Sequence, residues 1–176
     1  EKRHEVTPSG EDGYAKFQPH SRFNGKLTRP PAGPVLMLDF DGVLHPAQSG
    51  SLIYLPLLET WLQSFPAVEV VISSSWKGSH TLEGLRALFS ASLRHRVIGT
   101  TPDLPGESRE EEILHLVRQY RIGAWVALDD RAQEFPTTKF SNLVETEYFD
   151  GLAAHHLKVV ERLFDAQAGK RLQSQF

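Results

Sequence analysis

Asp39 directly follows the apolar run 35–38, and a second aspartate, Asp41, comes two residues later. If that run is a strand, side chains two positions apart point to the same side of the backbone. The two carboxylates then lie side by side, and Gly42 allows the chain to turn immediately after them. Because adjacent carboxylates repel each other, one of them binds a proton unless a cation lies between them. The spacing therefore indicates a cation site.

Polar clusters also follow two other apolar runs. Three serines (Ser73 to Ser75) come after residues 68–72, and Asp129 and Asp130 come after residues 124–128. Ligands in open α/β sheets bind beyond the carboxyl ends of the strands, where parallel strands all end at one edge. We therefore expect the three clusters to converge on one edge of a sheet.

Carboxylate oxygens dominate the predicted cluster, which is hard and anionic. Such a site suits Mg²⁺, which takes a few carboxylates and keeps water or phosphate oxygens as its other ligands. Zinc is disfavoured, because the chain has no cysteine and its eight histidines show no HExxH spacing. The predicted Mg²⁺ ligands are Asp39, Asp41, Asp129 and Asp130.

The apolar pattern predicts strands that alternate with helices. Strands are expected at 35–38, 68–72, 97–98, 124–128 and 143–146, and helices at 55–65, 82–89, 109–120 and 152–164. Helix 109–120 carries three glutamates in its first turn, where carboxylates favour the helix dipole. Alternating elements of this kind form βαβ units, so the fold class is α/β, with a mainly parallel sheet and helices on both faces.

Length and composition set further limits. The 176 residues and net charge of −3 suit one compact domain that is not a polycation. Residues 1–34, rich in proline and glycine and slightly basic, are predicted to be a flexible arm or linker before a domain at 35–176. No apolar run reaches the ~18 residues of a membrane span, and the lack of cysteine fits a reducing, cytoplasmic location. The first residue is Glu1, so a preceding segment or domain is left open.

Three of these segments resemble motifs of the haloacid dehalogenase (HAD) superfamily, in the same order along the chain. VLMLDFDGVL at 35–44 resembles motif I, VVISSSW at 70–76 resembles motif II, and WVALDD at 125–130 resembles motif IV. The resemblance implies a Rossmann-like three-layer sandwich with a mainly parallel central sheet. Motif I usually reads DxDGT; here Val43 replaces the threonine, which removes a hydroxyl but no carboxylate.

The resemblance also implies chemical roles. In the phosphatases of this superfamily, the aspartate matching Asp39 is the nucleophile that forms an aspartyl-phosphate, and the one matching Asp41 is the general acid/base. A motif II serine binds the phosphoryl group; Ser73 and Ser74 are both candidates, and Ser74 is favoured. The acidic pair after the motif IV strand completes the Mg²⁺ site.

Motif III, a lysine or arginine that neutralises the phosphate, has no single clear match. Arg109 is preferred because it opens the helix before the motif IV strand, and Lys77 is the alternative. Trp76 is expected to pack against the sheet edge, with stacking on a nucleobase as the alternative. His45 is expected to be a loop residue, with a contact to substrate as the alternative.

The segments 42–72 and 78–108 are too short to hold a folded cap domain. By resemblance, members without a cap often act on macromolecules, because an open site admits a phosphate attached to a protein or nucleic acid. The sequence also resembles HAD-type domains found with RNA-repair enzymes. We therefore expect a Mg²⁺-dependent phosphohydrolase whose partner is a phosphorylated substrate, either a nucleic acid end or a phosphoprotein, with no membrane partner.

Other readings of the same residues are a catalytically silent HAD-like domain that binds a phosphorylated partner or acts as a scaffold, a receiver-like phospho-acceptor, and a glycosyltransferase DxD motif. The intact Asp39 and Asp41 count against the first. The order of the acidic clusters counts against the second. A glycosyltransferase DxD motif does not explain the serine run or the strand end at Asp129–Asp130.

Overall fold

The computed structural model describes residues 25–175, which form an α/β fold on one five-stranded sheet. All neighbouring strands are parallel, in the order β3-β2-β1-β4-β5. The strands are β1 (Val35–Leu38), β2 (Glu69–Ile72), β3 (Val97–Thr100), β4 (Trp125–Asp129) and β5 (Leu143–Glu145). The helices are α1 (Leu55–Ser64), α2 (Leu82–Arg86), α3 (Arg109–Tyr120), α4 (Lys139–Asn142) and α5 (Ala154–Gln173). The predicted Rossmann-like sheet is confirmed, and the described residues hold no cap domain.

The strand order places β1 at the centre of the sheet. From β1 the chain moves outward to β2 and β3, and then returns through α3 to β4 on the other side of β1. The direction of travel thus reverses between β1 and β4. In open α/β sheets a crevice forms at the carboxyl ends of the strands at such a reversal, and ligands bind there.

Apolar side chains at every position of β1 are explained by helices on both faces of the sheet. Leu36 and Leu38 belong to the core that includes Val160 of α5, and all three are fully buried. Val35 and Met37 belong to the second core, with α3. A strand covered on both sides must be apolar throughout and not alternating, as the run 35–38 is.

Residues 25–28, within the predicted arm, run beside β3. Leu27 forms an antiparallel bridge with Gly99, and the amide of Gly25 donates to the carbonyl of Thr100. Gly99 must be a glycine here, because a Cβ would lie 2.5 Å from the carbonyl oxygen of Lys26. Residues 1–24 lie outside the described residues, so the boundary of the arm stays a prediction.

Helices α2 and α5 differ in length from their predictions. The amides of Leu88 and Phe89 bond three residues back, so the chain leaves α-helical geometry after Arg86. Helix α5 continues to Gln173, well beyond its last apolar position, because residues 165–173 are mostly strong helix formers. Although α5 has 20 residues, no helix within residues 25–175 is both long and apolar enough to cross a membrane.

Arg96 ties the sheet to the end of α1. Its buried guanidinium donates to the carbonyl oxygens of Leu62 (2.5 Å), Phe65 (2.5 Å) and Val68 (2.7 and 2.9 Å). The last carbonyls of a helix have no partner within the helix, and they favour a cation. Arg96 therefore satisfies the end of α1 and the start of β2 together.

Replacing Arg96 should destabilise the fold. We expect Arg96→Met to lower the free energy of unfolding by about 2–4 kcal/mol, because buried carbonyls lose a charged donor. Urea denaturation measures the change. Arg118→Met, at a side chain that is 64% exposed, should cost less than about 0.5 kcal/mol. Equal losses in the two variants would contradict the assignment.

Candidate functional site

The registers of β1, β2 and β4 bring the predicted clusters to one edge. Leu38 pairs with both Ile72 and Leu128, so the next residues, Asp39 and Ser73, also lie side by side. The amide of Asp39 donates to Leu128, and the amide of Ser73 donates to Leu38. Asp39 at the end of the central strand therefore lies between the serine run and the end of β4.

Three carboxylates meet at this edge. Asp39, Asp129 and Asp130 each offer an oxygen within 4.8 Å of those of the other two. Asp39 and Asp129 are 4% and 1% exposed, and Asp130 is half-buried. Three oxygen ligands in such a small space are a donor set that could hold a metal ion.

Gly42 makes room for the third carboxylate. Its backbone is left-handed (φ +72°), and a Cβ there would lie 2.9 Å from Cγ of Asp130 and 3.0 Å from the ring of Tyr148. The carbonyl of Gly42 accepts a 2.6 Å hydrogen bond from the hydroxyl of Thr146, after β5. The glycine of the DxDG sequence thus serves both the turn and the close approach of Asp130.

Arg109 carries a positive charge that partly compensates this cluster. One of its terminal nitrogens, Nη1, lies 3.0 Å from Asp39 Oδ1 and 2.9 Å from Asp129 Oδ2, and it donates to the carbonyl of Ser73 at 3.0 Å. Burial opposes the charge of Arg109, but the two carboxylates outweigh it and raise the pKa of Arg109. The guanidinium stays charged across the whole working range of pH.

One cation does not fully compensate these carboxylates. Burial, and next the charge of Asp129, raise the pKa of Asp39 well above its usual value, although Arg109 and the amide of Phe40 oppose the rise. Burial likewise raises the pKa of Asp129 to about 6, against the opposing effect of Arg109. A further cation would relieve this repulsion, so the electrostatics as well as the oxygen donors fit a bound metal ion.

Asp41 lies outside the carboxylate triad. Its Oδ1 accepts hydrogen bonds from Nε2 of His45 (2.8 Å) and from Nε1 of Trp76 (3.2 Å). The structure therefore brings together three of the four predicted metal ligands and holds the carboxylate of the fourth against two other side chains. A metal contact by Asp41 stays a prediction.

The two candidate serines differ in what their hydroxyls do. Ser74 Oγ accepts a hydrogen bond from the amide of Trp76, which caps a short 3-10 helix at Ser75–Gly78. Ser73 Oγ is buried and has no hydrogen-bond partner among residues 25–175. A buried hydroxyl without a partner costs free energy, and a bound oxyanion would supply that partner.

The two candidate cations also differ. Nζ of Lys77 forms ion pairs with Glu112 Oε2 at 2.5 Å and with Asp103 Oδ1 at 3.5 Å. It also donates to the hydroxyl of Thr101 at 3.0 Å. Both cations are paired with carboxylates, but only Arg109 of the two is seen in contact with Asp39. These contacts favour Arg109 as the cation of the site.

Sequence reasoning named His45 and Trp76 but missed that both side chains bond to Asp41. His45 lies in the loop between β1 and α1, as expected, but it is fully buried and bonds to Asp41. Its position four residues after Asp41 was the available signal. Trp76 packs against Phe40 with 5.0 Å between ring centroids, as expected, and its indole N–H reaches Asp41. No feature of the sequence indicated that Tyr148 would lie beside Gly42, because that contact depends on the path of the loop after β5.

Comparison with known proteins gives one match. A family model described as the HAD domain in Swiss Army Knife RNA repair proteins matches residues 35–157. This range begins with β1 and ends within α5, so it contains the whole candidate site. No curated protein and no solved structure matches the chain.

Metal binding should stabilise the fold in a pH-dependent way. Without metal, the carboxyl group of Asp129 binds its proton more tightly in the folded protein than in the unfolded chain. The stability that this provides is complete below about pH 4 and is lost as the pH rises through about 6. Mg²⁺ needs the ionised carboxylates. At 100 times its Kd, Mg²⁺ should add about 2.7 kcal/mol at pH 7.5, which is roughly 5–10 °C in Tm, and much less at pH 5.

Thermal unfolding in Mg²⁺ and in EDTA measures this difference. We expect Asp130→Asn to remove most of the increase in Tm at pH 7.5. Asp165→Asn, at an exposed carboxylate on α5, should retain it. An increase that is the same at both pH values, or that survives in Asp130→Asn, would contradict binding at the triad.

Proposed function

The chain belongs to the family of HAD domains found in Swiss Army Knife RNA repair proteins, and from that membership we propose that it is a Mg²⁺-dependent phosphohydrolase acting on the phosphorylated end of a nucleic acid. The observation that carries the proposal is the buried triad of Asp39, Asp129 and Asp130 with Arg109 in contact with it. The family's RNA-repair context favours a nucleic acid over a phosphoprotein.

Asp39 is the proposed nucleophile. The amide of Phe40 (2.8 Å) and Arg109 (3.0 Å) both contact Oδ1, and together they fix the orientation of the carboxylate. An oxygen of Asp39 attacks phosphorus as the ester P–O bond breaks, which leaves an aspartyl-phosphate. Water then attacks that phosphorus, and Asp39 is released with inorganic phosphate. Asp41 gives a proton to the leaving oxygen and later takes one from the water.

Charge stabilisation comes from the groups around Asp39. Arg109 and the hydroxyl of Ser73 are proposed to bind the phosphoryl oxygens, where fixed donors contribute most in a buried site. Bound Mg²⁺, held by Asp39, Asp129 and Asp130, would neutralise negative charge on the phosphoryl group. Because no cap covers this edge within residues 25–175, a phosphate at the end of a long polymer can enter.

The first test is hydrolysis of an aryl phosphate. We expect turnover of p-nitrophenyl phosphate that requires Mg²⁺ and that falls by at least ~1000-fold in Asp39→Asn, because the covalent route is lost. Asp165→Asn, on α5, should behave as the wild type. A wild-type rate no higher than that of Asp39→Asn, with several divalent metals, would instead indicate a silent domain that binds a phosphorylated partner.

The second test compares substrates. RNA oligonucleotides with a 3′-phosphate or a 5′-phosphate, and a phosphoserine peptide, are assayed side by side with release of inorganic phosphate as the measurement. We expect one of the two RNA ends to have at least ~10-fold higher kcat/KM than the peptide, a difference of about 1.4 kcal/mol. A preference for the peptide would contradict the nucleic acid assignment.

The neighbouring serines provide a matched pair. Ser73→Ala should lower kcat/KM by roughly 10-fold or more, because a donor to the phosphoryl group is lost. Ser74→Ala should mainly lower stability, by about 1 kcal/mol, since it removes a helix cap. Steady-state kinetics and thermal unfolding of both variants separate the two effects; the reverse pattern would assign phosphate binding to Ser74.

A further inference from the structure

Two side chains form hydrogen bonds with the same oxygen of the Asp41 carboxylate. Nε2 of His45 lies 2.8 Å from Oδ1, and Nε1 of Trp76 lies 3.2 Å from it. The Asp41 side chain is 21% exposed, and its second oxygen, Oδ2, has no hydrogen-bond partner among residues 25–175. One oxygen is therefore fixed by two side chains, and the other has no hydrogen-bond partner among these residues.

The hydrogen-bonding state of His45 follows from its surroundings. The amide of Leu52 donates to Nδ1 at 3.4 Å, so Nδ1 is an acceptor. In a neutral imidazole the other nitrogen then carries the hydrogen, so Nε2–H donates to Asp41. The His45 side chain is fully buried, and it has a partner at each nitrogen.

Trp76 is held in place by packing. The ring of Phe40 meets it edge-on with 5.0 Å between centroids, and His80 stacks on it at 5.1 Å with 13° between the planes. Its main-chain amide donates to Ser74 Oγ. The indole N–H that reaches Asp41 is thus a preorganised donor, and it does not rely on a flexible side chain.

We infer that His45 and Trp76 are positioning residues that fix Oδ1 of Asp41 and present Oδ2 to the leaving oxygen. The inference rests on the proposed function and adds to it the two supporting side chains and the atom that moves the proton. Asp41 itself lies outside the triad of Asp39, Asp129 and Asp130. Proton transfer and charge stabilisation are then assigned to separate carboxylates.

The proton balance is simple. As the bond from Asp39 to phosphorus forms and the ester P–O bond breaks, the proton on Oδ2 passes to the leaving oxygen. Oδ2 then accepts a proton from the water that attacks the aspartyl-phosphate, which restores the starting state. A misplaced Oδ2 should matter most when the leaving oxygen is strongly basic and cannot depart without a proton.

This dependence on the leaving group provides the kinetic test. Benzyl phosphate has a strongly basic leaving oxygen, whereas p-nitrophenyl phosphate has a weakly basic one and a similar size. Trp76→Phe keeps an aromatic ring and removes the indole N–H. We expect it to lower kcat on benzyl phosphate by roughly 10-fold or more and kcat on p-nitrophenyl phosphate by less than ~3-fold, in the manner of a weakened general acid.

Matched variants separate positioning from packing. His45→Leu should show the same selective loss, and His45→Gln, which retains an N–H near the position of Nε2, should recover part of it. Trp61→Phe is the control, because Trp61 also loses an indole hydrogen bond of 3.2 Å, to Glu161 on α5; it should leave both rates unchanged. Parallel losses on the two substrates in Trp76→Phe would overturn the inference.

A spectroscopic measurement tests the contact without relying on turnover. In ¹⁵N-labelled protein, Asp41→Asn should move the indole N–H signal of Trp76 and leave that of Trp61 in place. In the wild type, the ring hydrogen of His45 should lie on Nε2. An unmoved Trp76 signal would overturn the inference even if the enzyme is active. Absent turnover with a moved signal would instead count against the proposed function and leave the contact between Trp76 and Asp41 established.

Discussion

Burial of negative charge at the end of the central strand is the constraint on which the site depends. Asp39 and Asp129 are nearly inaccessible to solvent and lie beside each other at adjacent strand ends. Charges in such surroundings must be compensated or neutralised by protons. Arg109 supplies one compensating charge through contacts to both, but burial still raises the pKa of each carboxylate. An additional cation held by the triad would stabilise the ionised carboxylates.

The fold explains why these groups meet. The reversal of strand order between β1 and β4 opens a crevice at the carboxyl edge of the sheet. The parallel register places the ends of the neighbouring strands β2, β1 and β4 side by side at that edge. Helix α3 begins at the same edge, which directs Arg109 into the crevice. The left-handed backbone of Gly42 lets Asp130 approach. Each contribution comes from a different segment, and all depend on the same sheet.

Much of this could be predicted from the sequence, because the strands are short apolar runs that end in polar residues. The run 35–38 and the helix 109–120 have the predicted bounds. The direction of the Asp41 side chain could not be predicted, because it depends on the path of the loop that returns His45 to it. The ion pair between Lys77 and Glu112 joins residues that are far apart in the chain. Neither residue alone indicates that contact, so it could not be predicted.

Binding of one divalent ion by Asp39, Asp129 and Asp130 together is the proposal on which the function depends. Anomalous diffraction from crystals grown with Mn²⁺, which takes the same oxygen ligands as Mg²⁺, measures this most directly. We expect a single strong anomalous peak at roughly 2.0–2.4 Å from an oxygen of each of the three carboxylates. Crystals of active protein with no peak there, or with manganese bound elsewhere at the sheet edge, would contradict it.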